Sequence, residues 1–573
     1  MLVSPPSSTR RHCPSVLSVV LAMLVLSGCV GVVGETPNES AKASRDAGRA
    51  TKRDAKVTDE TPSESTGSSD DDVGETAHTV DPAQETPVTT PKGVAIDAGA
   101  PVDAGACTEG PLATGLRIGE IALYQTTKVS IYKSGAWVTS RDAPVVQHKK
   151  AMIRVFVTPS SGYKARMLRG VLTLTDGTTS KQLTDDRMPV AASTDDQLSS
   201  TFTFQVDGAL LNDGTQFSVA IQEPTCTSAS ASPSAGVGDA GSLDTRFPAT
   251  GTRSLETTFI GKLKVVVLPV SLSGRVPVTT DDELAKMKAA LLAYYPVPDV
   301  DISVRAPLVW TYPVDAQDGS SWSNLLNGIM AERRKDAPNS DVYYFGLMQP
   351  AATFKAYCAR GCILGLAPQT TMVQPSAQIG LGASFADAQT YETMVHELGH
   401  AHGRGHSPCV EGGQIDGVDQ KYPDPTGATI TWGWDSRINT LMPPTDKDIM
   451  GYCQPNWISQ YNYAAIAARS QAVNLKALIV GQKSALQWQH VILYADGTAR
   501  WGGSTETEQP GGTVEQVDVL DAQGNVIAQT EVVRVVLSHS GDQFGYIPKP
   551  EAGWAVLKLS DRVLLLDQIL PAL

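Results

Sequence analysis

Aromatic residues are sparse, at 6% of the 573-residue chain, and none occurs before Tyr124. No apolar run is long enough to be read as a membrane span, and the run at 16–26 falls well short of one. Basic residues are outnumbered, 46 Lys and Arg against 60 Asp and Glu, for a net charge of −14. That balance argues against nucleic acid as a partner, whose binding needs a basic face. The excess is local: residues 35–106 hold fifteen acids and seven bases, −8 of the total. The remainder is mildly acidic and its charge says little about a substrate. A length of 573 residues with 41% hydrophobic residues fits two to four globular domains.

Arg10 and Arg11 followed by the apolar run have the order of an export signal. The run ends in Leu26-Ser27-Gly28-Cys29, which resembles a bacterial lipobox. The resemblance implies a signal peptide of residues 1–28, cleavage before Cys29 and lipidation of its thiol. An ordinary secretory signal with Cys29 incidental is the alternative. By resemblance to lipoproteins, Val30 in place of Asp favours the outer membrane. The expectation is an exported bacterial lipoprotein at the outer membrane or cell surface, touching the membrane only through its lipid. Residues 29–106 are too poor in core-forming side chains to offset the entropy of ordering. They are expected to form an acidic, flexible stalk, whose 72 residues from Glu35 would span about 45 Å on average. A latency propeptide is the competing reading.

Export makes disulfides permissible. Setting aside Cys13 and Cys29 leaves Cys107, Cys226, Cys358, Cys362, Cys409 and Cys453, an even number. Nearness along the chain suggests the pairs 107–226, 358–362 and 409–453. Cys358 and Cys362 could instead be half of a metal site, although no second ligand pair lies near them.

Between 107 and 252, short β-branched or alternating runs at 118–124, 151–157, 167–174, 201–206 and 217–222 predict an all-β, sandwich-like domain. The Ser/Ala/Gly-rich stretch at 227–242 reads as a linker. The pattern then changes to strand, helix, strand, helix, strand, an α/β unit. It comprises a strand at 262–270, a helix opened by the capping box Thr280 to Glu283, a strand at 300–304, a helix at 323–334 and a strand at 341–348. After a helix at 459–473, a C-terminal β-domain at 481–573 is expected, with a hairpin turn at 521–525.

Four of the nine histidines fall between 396 and 406. On a helix, His396 and His400 sit one turn apart on the same face and can reach one ion. Glu397 lies beside them, where a carboxylate can act as general base toward water. Gly403 allows the chain to leave the helix abruptly, bringing His406 back as a third ligand. Three protein ligands with one open position is the pattern of a catalytic zinc site. His402 points well round the helix and is expected behind the ligands or at the surface.

This His-Glu-x-x-His-x-x-Gly-x-x-His pattern resembles that of the metzincin zinc metallopeptidases. The resemblance covers roughly 256–475. It implies an α/β catalytic domain, here drawn at 256–480, with one catalytic zinc and hydrolysis of peptide bonds. It also implies a methionine turn downstream, matched by Asp448-Ile449-Met450-Gly451-Tyr452-Cys453. Met450 would be the soft floor under the histidines. Tyr452 would stabilise the tetrahedral intermediate or act as a movable ligand; mere packing is the alternative. Ser407 after the third histidine is similar to matrixins, whereas the turn with Tyr452 is similar to astacins and serralysins. No glycine-rich calcium repeat is present, and the sequence is silent on calcium. The arrangement as a whole resembles the StcE-like (M66) secreted peptidases.

The expected architecture is therefore multidomain, an α/β catalytic domain flanked by two all-β domains. The expected function is a zinc metalloendopeptidase acting on extracellular proteins or glycoproteins. A surface adhesin that has lost activity, or a metalloenzyme acting on other bonds, is the alternative. Removal of the C-terminal domain is expected to spare hydrolysis of short peptides.

Overall fold

A long strand, Leu116–Lys133, runs through the first folded region of the computed structural model. The structure describes residues 107–108, 110–226, 243–370, 372–409, 417–478, 487–506 and 509–573. The expected signal peptide, Cys29, the stalk and the linker at 227–242 lie outside them. The chain divides after Val88, and all described residues belong to the second unit. No helix among them is long and apolar enough to cross a membrane.

The strand Leu116–Lys133 pairs antiparallel with Ala151–Pro159, which pairs with Phe202–Val206. A second antiparallel sheet is built from Gln216–Gln222, Leu168–Thr175 and Ser180–Arg187, with two short strands beside the first of these. The sheets face each other closely. A methyl group at Gly170 would come within 2.7 Å of the Phe202 ring. Ile121, Leu123, Ile153, Val155, Leu172, Phe204, Phe217 and Val219 are fully or almost fully buried in one core. Arg154 is buried on the opposite face of its strand, over the rings of Tyr124 and Phe156. Its guanidinium donates to Thr201 Oγ1, the Tyr124 hydroxyl and the carbonyls of Asp195, Thr194 and Gln197. A buried guanidinium persists only when so matched.

The first strand extends well past the expected 118–124. Its later residues are polar, so the apolar pattern is lost, but they are satisfied against other parts of the molecule. Gln125 donates to the carbonyls of Val146 and Lys149, and Thr126 Oγ1 donates to the carbonyl of Ala293. Trp457 Nε1 donates to the Thr126 carbonyl. The short strand Gly433–Asp435 continues the same sheet at Thr126 and Thr127.

The middle of the chain forms a six-stranded sheet with strand order 300–304, 263–272, 342–348, 379–383, 365–366, and 308–310 lying beside 263–272. All pairs are parallel except the last in that order, where Gly365–Leu366 runs antiparallel to Ile379–Ala383. The helix Asp281–Tyr294 begins at the expected box, with Thr280 Oγ1 accepting from the Glu283 N–H. The helix Gly319–Asp336 starts earlier than the expected 323, because Asp318 caps it and accepts from the Ser320 N–H.

The last eight strands at issue lie in one hydrogen-bonded sheet of order 499–506, 487–493, 543–548, 526–537, 513–520, 556–558, 563–565, with Pro368–Gln369 beside 526–537. The sheet is continuous, and the chain beyond 563–565 returns to its opposite edge, where the Trp501 N–H donates to the Leu570 carbonyl and the Leu570 N–H to that of Ala499. Its strands bury both faces, by alternation along the chain. Val491, Val532 and Ile547 enter one core, confined to this sheet. Ile492, Val533 and Tyr546 enter another, together with Trp322, Leu326 and Ile329 of the helix Gly319–Asp336 and with Leu366 and Leu381.

Disulfides join Cys358 to Cys362 and Cys409 to Cys453. Cys358 and Cys362 are therefore not half of a metal site. Cys107 and Cys226 are backbone partners in a short antiparallel pair.

Candidate active site

The helix Ala388–Ala401 carries the centre of the site. Asp387 caps it, accepting from the N–H and hydroxyl of Thr390. Met394, Val395, Leu398 and Ala401 bury one side in the core, which fixes the rotation of the helix. His396 and His400 therefore project together, with their Nε2 atoms 3.0 Å apart.

Gly403 then takes φ +84°. A methyl group there would lie 2.7 Å from the Thr370 carbonyl oxygen and 2.8 Å from Arg469 Nη2, so only glycine fits this turn. The Gly403 N–H donates to the His400 carbonyl and the Arg404 N–H to that of Gly399. The reversal brings His406 Nε2 to 3.1 Å from His400 Nε2. All three rings are buried.

The other ring nitrogens set the tautomers. His396 Nδ1 is 2.7 Å from the Ile449 carbonyl oxygen and His400 Nδ1 is 2.7 Å from that of Arg404. Each carbonyl requires a donor, so Nδ1 carries the hydrogen and Nε2 turns a lone pair into the cluster. Burial holds His396 down to about 4 and His400 well below the usual imidazole range, so both rings are neutral. Neutral imidazole is the metal-binding form. Lone pairs facing one another at 3 Å repel unless a cation lies between them, and nitrogen donors suit zinc. The donor set fits a metal ion.

Met450 is fully buried beneath the helix. A methyl group at Gly399 would lie 2.4 Å from its Sδ, so the thioether rests against the backbone between the two histidines of the helix. Asp448 builds this turn, accepting from the N–H groups of Met450 and Ser459 and from Asn462 Nδ2. The Ser407 N–H donates to the Met450 carbonyl, and the disulfide Cys409–Cys453 ties the same two segments.

Glu397 is buried, and burial pushes its carboxyl up to about 7 against the opposing pull of His396 and Ser538. Tyr452 is 45% exposed, with its hydroxyl 3.3 Å from His406 Nε2.

One histidine at the site was not anticipated. His539 lies in the turn between the strands Val526–Leu537 and Gln543–Pro548, and its ligand nitrogen comes within 4.8 Å of those of His396, His400 and His406. Its Nε2 is 3.1 Å from Glu397 Oε1, and its Nδ1 is 2.5 Å from the Tyr452 hydroxyl. No spacing rule links it to the other three, being 87 residues beyond Tyr452. The only hint is a histidine set among Ser538, Ser540 and Gly541 at a hairpin turn.

His402 faces away from the cluster. It is buried, not at the surface, with its ring stacked on Tyr343 at 4.5 Å and its Nδ1 2.6 Å from the Leu398 carbonyl oxygen.

Such a site, three or four convergent imidazoles beside a buried carboxyl, defines a candidate metal-dependent hydrolase. Residues 374–473 match the family Peptidase M66. That span holds the three clustered histidines, Glu397, Met450 and Tyr452, and ends before His539. The similarity supports a peptidase. No curated protein matches the chain.

Proposed function

We propose that this protein is a zinc-dependent metalloendopeptidase of the metzincin type, exported as a lipoprotein and tethered through Cys29. On this reading it hydrolyses peptide bonds of extracellular proteins or glycoproteins at the cell surface. The observation that carries the reading is the meeting of the His396, His400 and His406 Nε2 atoms beside the buried carboxyl of Glu397.

His396, His400 and His406 would hold the ion. When bound, zinc supplies a Lewis acid that polarises a carbonyl and makes water acidic enough to react at neutral pH. The chain's own groups handle the protons and the charge. Glu397, buried beside the histidines, is suited to take a proton from water and return it to the departing amine. The Tyr452 hydroxyl lies 3.3 Å from His406 Nε2 and can donate to the oxygen on which negative charge develops. Met450 fixes the helix from below through its contact with Gly399.

Glu397→Gln tests the assignment. The amide keeps the shape of the carboxyl but cannot accept the proton. The variant is expected to bind zinc as the parent does and to lose about 10²–10⁴-fold in turnover. Turnover at the parental rate would remove Glu397 from this role.

A further inference from the structure

The turn that carries His539 belongs to the C-terminal sheet, yet it is built into the catalytic cluster. Ser538 is fixed to the strand edge of the α/β region: its N–H donates to the Ala367 carbonyl, and its Oγ accepts from the Ala367 N–H. The same hydroxyl donates to Glu397 Oε2 at 3.1 Å. The next residue, His539, brings its Nε2 to 3.1 Å from the other carboxylate oxygen without a hydrogen bond to it, and its Nδ1 to 2.5 Å from the Tyr452 hydroxyl. Its backbone is left-handed, φ +60°, which is uncommon away from glycine and is held here by its neighbours. Ser540 rests against the start of the helix Gly319–Asp336, where a methyl group at Gly319 would lie 2.8 Å from its Cβ.

One short turn thus engages both oxygens of the proposed base and the hydroxyl proposed to meet the substrate oxygen. Its imidazole centroid stands 4.7–5.4 Å from those of His396, His400 and His406. A peptide carbonyl would need that same space. Four protein ligands close a zinc site, whereas a catalytic one keeps a position open.

We propose that His539 is the fourth protein ligand of the metal in the resting protein, and that the turn 538–541 is a plug that must lift before a peptide can enter. This rests on the metallopeptidase reading above. The sheet itself need not move. Its core with Trp322 and Ile329 stays closed, while the tip is fastened by a few hydrogen bonds and can open locally.

The test uses the whole chain, its His539→Ala variant and its His539→Gly variant, the last because glycine accepts the left-handed backbone without strain. Each is loaded with cobalt(II) and titrated with azide, which enters only where a coordination position can be exchanged. Azide is expected to leave the absorption spectrum of the parent unchanged and to shift that of both variants. Zinc affinity in the variants should fall at least about tenfold, since a lost ligand costs no less than a lost outer partner. At saturating zinc, cleavage of a short peptide should be faster than in the parent. An equal azide response in parent and variants, or unchanged zinc affinity, would overturn the ligand. Peptide cleavage no faster than the parent's at saturating zinc would overturn the plug. Failure of the underlying reading looks different: the parent would then bind no metal, with or without His539.

Discussion

Glu397 sits under a glycine as well as beside the histidines. A methyl group at Gly365 would lie 2.3 Å from Glu397 Oε1 and 2.4 Å from its Cγ, so the absence of a side chain there shapes the carboxyl's pocket. Gly365→Ala is expected to displace that carboxyl while leaving the three histidines on their own elements. Zinc content should persist and peptide turnover should fall at least about tenfold, because small misplacements at a reacting centre are costly. Full turnover with an unchanged melting temperature would show that Glu397 can shift without consequence. At this scale the sequence was most informative where the chemistry is local. His396, Glu397, His400, Gly403 and His406 fall within one helix and its exit, so helical geometry alone brings them together. His539 comes from a distant hairpin, and only tertiary packing sets its place. His402 shows the reverse: its position round the helix was legible, but burial on Tyr343 was not, because the pairing partner lies on another strand.

Between elements, the joint from the N-terminal sheet to the helix Asp281–Tyr294 carries a buried charge-bearing group. Lys149 Nζ donates to the carbonyl of Leu292 at 2.6 Å, near the end of that helix. Burial pulls its pKa down from 10.5 to about 7. Between those values the unfolded chain holds a proton that the folded chain has released. Stability contributed by this site therefore rises as pH increases from 7 toward 10.5, and is flat below 7 where both states are protonated. Urea unfolding at pH 7 and pH 9 should show this gain in the parent, and Lys149→Met should reduce it. An identical pH response in the two chains would mean that the ammonium is not desolvated in the fold. Element starts were legible at the capping box of Thr280 and Glu283, but not at Asp318, which caps a helix opening before the expected 323. They were not where polar residues such as Gln125 and Thr126 are satisfied only by distant carbonyls, because alternation reports burial and cannot report partners.

Over the whole molecule, the regions separated by composition are joined by strands and cores. Gly433–Asp435 extends the N-terminal sheet, and Pro368–Gln369 extends the C-terminal one. Trp322, Leu326, Ile329, Leu366 and Leu381 share their core with Ile492, Val533, Phe544 and Tyr546. Removing residues 487–573 would uncover that core and leave Pro368–Gln369 unpaired. The expectation from sequence, that the truncated chain still cleaves short peptides, is replaced by a different one. The truncated chain should lose cooperative unfolding and expose apolar surface, as judged by calorimetry and dye binding. A sharp thermal transition with retained zinc would show that the α/β region stands alone. The composition shifts along the chain were real, but a shared core leaves no mark on composition.

Zinc content and protein cleavage, measured on the purified chain with and without a zinc chelator, test the central claim most directly. Casein and mucin are suitable substrates, and removal of the His539 side chain provides the open form. One zinc per chain, with cleavage abolished by chelator and restored by added zinc, is the predicted result. A well-folded chain that binds no zinc, or cleavage indifferent to the chelator, would contradict it.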